Sequence, residues 1–168
     1  PEAKIRAAGE QAQVDLSPFE LVATEHSHAA AAKAVELASD RKVEALMKGS
    51  LHTDEFMHAI ICEPALHTDR RMSHVFIIDA PGYPRPLYMS DAAINIYPTL
   101  DDKHDIFQNA IDLAHALGLA MPKVAILSAV ETVTDKIKST IDAAALCKMA
   151  DRRQITGGIV DGPLAFDN

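Results

Sequence analysis

Tryptophan is absent and aromatic residues make up only 5% of the 168-residue chain. With 48% apolar and 24% charged residues, what remains is an ordinary globular composition, enough for one domain or two small lobes. Positive charge is also scarce: 16 Lys and Arg stand against 24 Asp and Glu, for a net charge of −8. That balance argues against a general affinity for nucleic-acid phosphates and provides no basic patch for anionic lipid. No apolar run approaches the roughly 20 residues a bilayer-spanning helix needs, and no charged-then-apolar leader stands at the start. Neither nucleic acid nor membrane is therefore expected as a partner. The two cysteines, Cys62 and Cys147, lack C-x-x-C companions, so neither a disulfide framework nor a zinc knuckle is encoded. Isolated thiols fit a reducing, cytoplasmic compartment.

What is present is an alternation. A short apolar run is followed by a loop ending in Ser, Thr, Asp or Gly, and then by an Ala-rich amphipathic stretch, the pattern of α/β proteins. Strands are expected at 19–24, 44–47, 70–79, 87–90, 123–127 and 155–160, the fifth of them buried. Helices are expected at 26–39, from about 50 to 62, at 103–117 and at 139–151. Gly118 followed by Pro122 marks one helix end and the next strand. Ser139-Thr140-Ile141-Asp142 matches a capping box. Three prolines among Pro81, Pro84 and Pro86 cannot continue a helix, so 81–86 is a connector or hairpin turn and the expected lobe boundary, dividing 1–80 from 81–168.

Several loops carry chemistry. Lys48-Gly49-Ser50 sits where a strand is expected to hand over to a helix, a place where free N–H groups favour an anion and Gly allows close approach. Asp54 and Glu55 could instead satisfy the helix dipole as plain capping residues. The spaced glycine of a P-loop is missing. Eight histidines invite a metal reading, but His26-x-His28 lacks a spaced third ligand. His104 and His115 lie roughly 16 Å apart on a regular helix, too far to share an ion, so no metal site is expected. His58 and Cys62 stand one helical turn apart; a buried structural cysteine is favoured over an activated thiol. Asp91 and Asn95 occupy a loop running into Pro98, as ligand contacts or as turn formers. Ser128 to Thr132 leaves the carboxyl end of the 123–127 strand, where ligands bind in open α/β sheets. Asp161, Gly162 and Asp167 lie in a similar exit, with Gly162 permitting a tight turn.

Taken together, MKGSLHTDE at 47–55, SDAAINIYPTL at 90–100, PKVAILSAVETV at 122–133, STIDAAALCKMADR at 139–152 and GGIVDGPLAFDN at 157–168 resemble the phosphate acetyl/butyryltransferase family, almost end to end from about residue 15. The resemblance extends to the acyltransferase halves of bifunctional enoyl-CoA hydratase/phosphate acetyltransferase proteins. It implies an isocitrate/isopropylmalate dehydrogenase-like fold, two α/β/α lobes around a cleft, here truncated at both ends. It also implies reversible conversion of acyl-CoA and phosphate to acyl phosphate and CoA by direct attack of phosphate on the thioester, without an acyl-enzyme. CoA and phosphate would be substrates, with no tightly bound cofactor and no metal. A homodimer and a fused dehydratase domain upstream are further implications.

On this resemblance the cleft is lined by Lys48, Gly49, Ser50, Thr53, Asp91, Asn95, Ser128, Thr132, Asp161, Gly162 and Asp167. Met57 and His58 stand where the acetyl branch carries an Arg-Pro pair, and Arg70 and Arg71 are the nearby basic residues that could take its place. The family's catalytic Ser-Arg loop and nearby Asp lie beyond the GPLAFDN segment, so the chain is expected to be an inactive piece of a longer enzyme. Two other readings compete. One is a non-catalytic CoA- or phosphate-binding or interface fragment. The other is a metal-dependent decarboxylating dehydrogenase, which would need an acidic D-x-x-x-D helix not convincingly present near Asp135 to Asp142.

Overall fold

The computed structural model describes residues 2–166. The chain forms two compact units, Pro1–Asp69 and Arg70–Asn168. The proline-rich segment 81–86 lies inside the second of these.

The described part of the first unit is helical: α1 (Glu2–Ala12), α2 (Ser27–Ser39), α3 (Thr53–Ile61) and a 3-10 turn, Pro64–Leu66. His26 starts α2, its Nδ1 accepting the Ala29 N–H at 3.1 Å, and a run of alanines with high helix propensity carries it forward. Ala31 and Val35, one turn apart, are its buried residues, and α2 packs on α3. The strands expected at 19–24 and 44–47 do not form. Their apolar residues remain in irregular backbone, because a strand exists only where a neighbouring ladder satisfies its N–H and C=O groups, and no ladder partner lies among the described residues.

In the second unit, β1 (Val75–Ile78) and β2 (Leu87–Ser90) form an antiparallel hairpin with Val75 opposite Ser90 and Ile78 opposite Leu87. The 81–86 segment is its connection, turned by Gly82 at φ +84°. Helix α4 (Leu100–Ala116) starts three residues earlier than its apolar period suggests. Thr99 and Asp102 close a reciprocal capping box there, Thr99 Oγ1 accepting the Asp102 N–H at 3.2 Å and Asp102 Oδ2 accepting the Thr99 N–H at 2.8 Å. It ends at Leu117, with Gly118 left-handed at φ +90°.

The rest is a parallel β–α–β unit: β3 (Lys123–Leu127), α5 (Lys138–Asp151) and β4 (Ile159–Leu164). Ile111 of α4, Ile126 of β3, Ala143 and Leu146 of α5 and Ile155 form its buried core. Ile126 is the buried residue of β3, whereas Leu127 is half exposed, so the expectation of a fully buried strand is corrected. The β4 ladder begins four residues later than the apolar run at 155 suggests. Ile155 enters the core ahead of the strand, and the Gly157-Gly158 pair passes close under α4. Gly157 is left-handed at φ +84°, and a Cβ there would lie 2.5 Å from the His115 ring.

Candidate functional site

The capping box expected at Ser139 to Asp142 is not formed. Ile137 is the N-cap of α5, without a side-chain cap bond, because each polar residue of the motif has a tertiary partner. The Ser139 hydroxyl meets the Ser128 hydroxyl at 2.7 Å. Thr140, fully buried, accepts the Thr134 N–H at 3.0 Å. Asp142 takes Lys103 Nζ at 2.6 Å and Lys138 Nζ at 2.7 Å. Burial alone would raise the Asp142 pKa, but the two ammonium groups outweigh it and hold the carboxyl below its ordinary value.

In the first unit, Lys48, Gly49, Ser50 and Thr53 are all exposed in and just after the loop that enters α3. The Lys48 ammonium folds onto its own loop, donating to Leu51 O at 2.8 Å and Gly49 O at 3.3 Å. A Cβ at Gly49 would meet nothing within 4 Å, so the backbone is open to approach. His52, the N-cap of α3, makes no side-chain cap bond, and Asp54 and Glu55 occupy the first turn. Glu55 Oε1 lies 3.6 Å from His28 Nε2. Cys62 is exposed at the end of α3, which corrects its expected burial; its Sγ lies 3.7 Å from His58 Nε2.

In the second unit, Asp91 organises the turn that leaves β2. Its Oδ1 accepts the N–H groups of His74, Ala93 and Ile94 at 3.2, 3.3 and 3.4 Å, and its Oδ2 accepts the Asn95 N–H at 2.9 Å. The Asn95 side-chain amide donates to the same carboxylate and, at 3.0 Å, to Met72 O. Burial pushes the Asp91 pKa up, and the hydrogen bonds from Asn95, Ala93 and Ile94 together bring it below the ordinary carboxylate value. Of the two uses open to Asp91, the structure displays turn formation.

Asn95 Oδ1 accepts from Arg71 Nε at 2.5 Å. Arg70 points to α4 instead, its Nη1 lying 2.6 Å from Asp112 Oδ2.

Ser128 stands at the carboxyl end of β3, with its N–H on Leu164 O at 2.9 Å, and Thr132 is exposed beyond it. Asp161 is not in an exit loop. It is an exposed residue inside β4, opposite Ala125, and its Oδ1 accepts the Gly162 N–H. Gly162 serves close packing rather than a turn, since a Cβ there would sit 2.6 Å from Ile126 Cβ. The exit reading fails because Gly-Pro looks like a strand terminator, yet Pro163 is buried within the ladder. Asp167 lies outside the described residues. The structure thus joins Asp91 to Asn95 and Asp161 to Gly162. Among the described residues no hydrogen bond or ion pair links the 91–95 turn to Ser128 or Asp161.

Three side chains of α4 not assigned a role by sequence hold the backbone before β4. His104 Nε2 meets Gln154 O at 2.9 Å, and His115 Nε2 meets Gly157 O at 2.7 Å. The buried Gln108 bonds both Thr156 N (2.9 Å) and Thr156 O (3.0 Å). The two histidines, too far apart to share an ion, grip one loop from points about three helical turns apart. The bond to the Gln154 carbonyl, opposed by burial and supported by Asp105, raises the His104 pKa. Cys147, with its thiol raised by burial, donates to Gly162 O at 3.5 Å and packs against the core. Among the described residues no group of three or more His, Cys, Asp or Glu is placed to hold a metal ion, and no helix is long and apolar enough to cross a membrane.

The architecture is that of a mixed α/β protein of phosphotransacylase type. A branched-chain phosphotransacylase from Enterococcus faecalis V583 superposes with a TM-score of 0.75 at 29% identity, over 89% of this chain and 53% of that one. The chain belongs to the phosphate acetyl/butaryl transferase family, whose sequence profile matches residues 12–168. It is 62% identical over its whole length to a phosphate acetyltransferase of Rhizobium meliloti, covering 54% of that protein. It is 44% identical over 92% of its length to a phosphate butyryltransferase of Clostridium acetobutylicum, covering 52% of that one. The chain spans about half the length of these curated relatives.

Proposed function

We propose that the protein to which this chain belongs is a phosphate acyltransferase, interconverting acyl-CoA plus phosphate with acyl phosphate plus CoA, the acyl group being acetyl or butyryl. The observation that carries this reading is family membership across residues 12–168. A phosphate oxygen attacks the thioester carbonyl, the tetrahedral adduct collapses with cleavage of the C–S bond, and the CoA sulfur leaves as thiolate and takes a proton. Such a reaction needs two bound anions held in register, donors for the carbonyl oxygen, and a group that manages the thiol proton.

In this reading two α/β/α lobes of the isocitrate dehydrogenase type enclose a cleft. Lys48 to Thr53, the Asp91 to Asn95 turn and Ser128 to Thr132 are each candidate contacts for CoA or phosphate, and the acid–base groups come from the family's Ser-Arg loop. The Asp91 carboxylate, spent on four main-chain N–H groups and one side-chain amide, shapes its turn rather than moving a proton. CoA and phosphate act as substrates in a cytoplasmic homodimer without a resident cofactor, and a dehydratase domain can precede the acyltransferase part.

The test is thiol release from acetyl-CoA and butyryl-CoA with inorganic phosphate, by the full-length protein and by the 168-residue chain. Phosphate-dependent turnover by the former, with CoA binding but no turnover by the latter, is expected. A full-length protein inert toward both thioesters overturns the reading in favour of a non-catalytic CoA- or phosphate-binding role.

A further inference from the structure

Arg71 is held unusually firmly for a residue that is more than half exposed. Its N–H donates to Asp105 Oδ2 at 2.8 Å and its carbonyl accepts from Asn109 Nδ2 at 2.9 Å, so two side chains of α4 fix its main chain. Its Nε donates to Asn95 Oδ1 at 2.5 Å, and Asn95 is in turn pinned to Met72 O and Asp91. The guanidinium is therefore oriented through Nε, while among the described residues its two terminal nitrogens carry no hydrogen bond or ion pair.

The identity of the anchor matters. The short contact at Nε is to a neutral amide oxygen, and the ion pair that the same nitrogen makes with a carboxylate is the longer one. The nearest carboxylate oxygen, Asp102 Oδ1, is 3.4 Å from Nε, and the other oxygen of Asp102 is committed to the capping box of α4. Arg70, one residue away, is the contrasting case, with its Nη1 on the Asp112 carboxylate. The Arg71 side chain is 57% exposed, and beyond Asn95 the turn continues into Ile96 and Tyr97, 82% and 94% exposed.

We propose that the terminal guanidinium nitrogens of Arg71 form a binding contact for a phosphate oxyanion at the turn leaving β2. A planar fork with two parallel N–H donors matches two oxygens of a phosphate, and a fork already fixed at Nε loses little rotamer freedom on binding. This deepens the acyl-transfer reading and rests on it for the ligand's identity. The oxyanion is either inorganic phosphate, with the acyl phosphate made from it, or a phosphate group of CoA.

The experiment uses the full-length protein with Arg71→Gln and Arg71→Lys, neither of which removes the main-chain bonds to Asp105 and Asn109. Binding of inorganic phosphate and of CoA is measured by calorimetry, and KM for phosphate, acyl-CoA and acyl-dephospho-CoA by steady-state kinetics. Arg71→Gln is expected to raise one KM by about tenfold or more with a smaller change in kcat, and Arg71→Lys to recover part of the loss. A rise confined to phosphate assigns the contact to inorganic phosphate, and a rise confined to the CoA thioester assigns it to CoA. If that rise disappears with the dephospho analogue, the contact is to the 3′-phosphate.

Both KM values within about twofold of wild type, or a fall in kcat alone that tracks a lowered Tm, overturn the proposal. If the wild type shows no turnover, the acyl-transfer reading fails separately and the calorimetry still decides. Weaker phosphate or CoA binding by Arg71→Gln upholds the contact, whereas binding equal in both proteins, or absent from both, overturns it.

Discussion

Lys103 on α4 places its ammonium 2.6 Å from the Asp142 carboxylate of α5, and Asp142 is only 6% exposed. The second cation on that carboxylate, Lys138, is largely in solvent. Removing the partly buried partner strips the inter-helix bond from a buried charge, whereas removing the exposed one leaves that bond in place. Lys103→Met should therefore cost about 1–3 kcal/mol in urea denaturation and Lys138→Met less than about 1 kcal/mol. Equal losses would mean that Asp142 is less confined than its burial indicates.

The raised pKa of His104 gives stability a pH dependence of defined sign. A group protonated more readily when folded contributes fully below its unfolded pKa of about 6.5 and loses that contribution as pH rises through the folded value. Comparing wild type with His104→Gln from about pH 5.5 to pH 8.5, the wild-type advantage should be largest at the acid end and shrink upward. An advantage that grows with pH contradicts the bonding seen at Gln154 and Asp105.

Asp91 behaves in the opposite sense. Its pKa lies below the ordinary value, so its contribution is present above about pH 4 and is lost as acid protonates the folded carboxyl. Asp91→Ala leaves several N–H groups of the 91–95 turn without their acceptor and should cost about 1–3 kcal/mol at neutral pH. The gap between the two proteins should narrow on titration toward about pH 2.

Two glycines separate packing from ligand access. Gly162→Ala forces a methyl within 2.6 Å of Ile126 Cβ and 2.9 Å of its carbonyl, which parts β4 from β3 and should cost about 1–3 kcal/mol. Gly49→Ala meets open space and should change stability by less than about 0.5 kcal/mol. A raised KM for phosphate in Gly49→Ala would then report directly on crowding of an anion at the Lys48 loop.

The helices were legible wherever local chemistry decides them. α2, α4 and α5 follow from Ala-rich or periodic stretches, and Gly118 and Pro122 mark the passage from α4 to β3. Long-range partners decide the rest. The 19–24 and 44–47 runs have strand composition, but β structure needs a neighbour that composition does not supply. Ser139 and Asp142 have capping-box spacing, yet Ser128 and the two lysines engage them first.

Of the candidate site, the Asp91 to Asn95 turn was recognisable as a chemically loaded loop. Its internal wiring was not, because Arg71, Met72 and His74 reach it from about 20 residues upstream. The roles of His104, Gln108 and His115 had a visible trace in their spacing of four and seven along one helix face. The backbone they grip lies more than 40 residues downstream.

That grip fixes chain length as well as position. Gln154, Thr156 and Gly157 meet three side chains set at fixed intervals along a rigid rod, so one residue inserted or deleted between Gln154 and Gly157 would put at least one of the three contacts out of step with the others. The hairpin tip at 81–86, with no such clamp among the described residues, is where the second unit can change length during divergence without shifting the strand that follows.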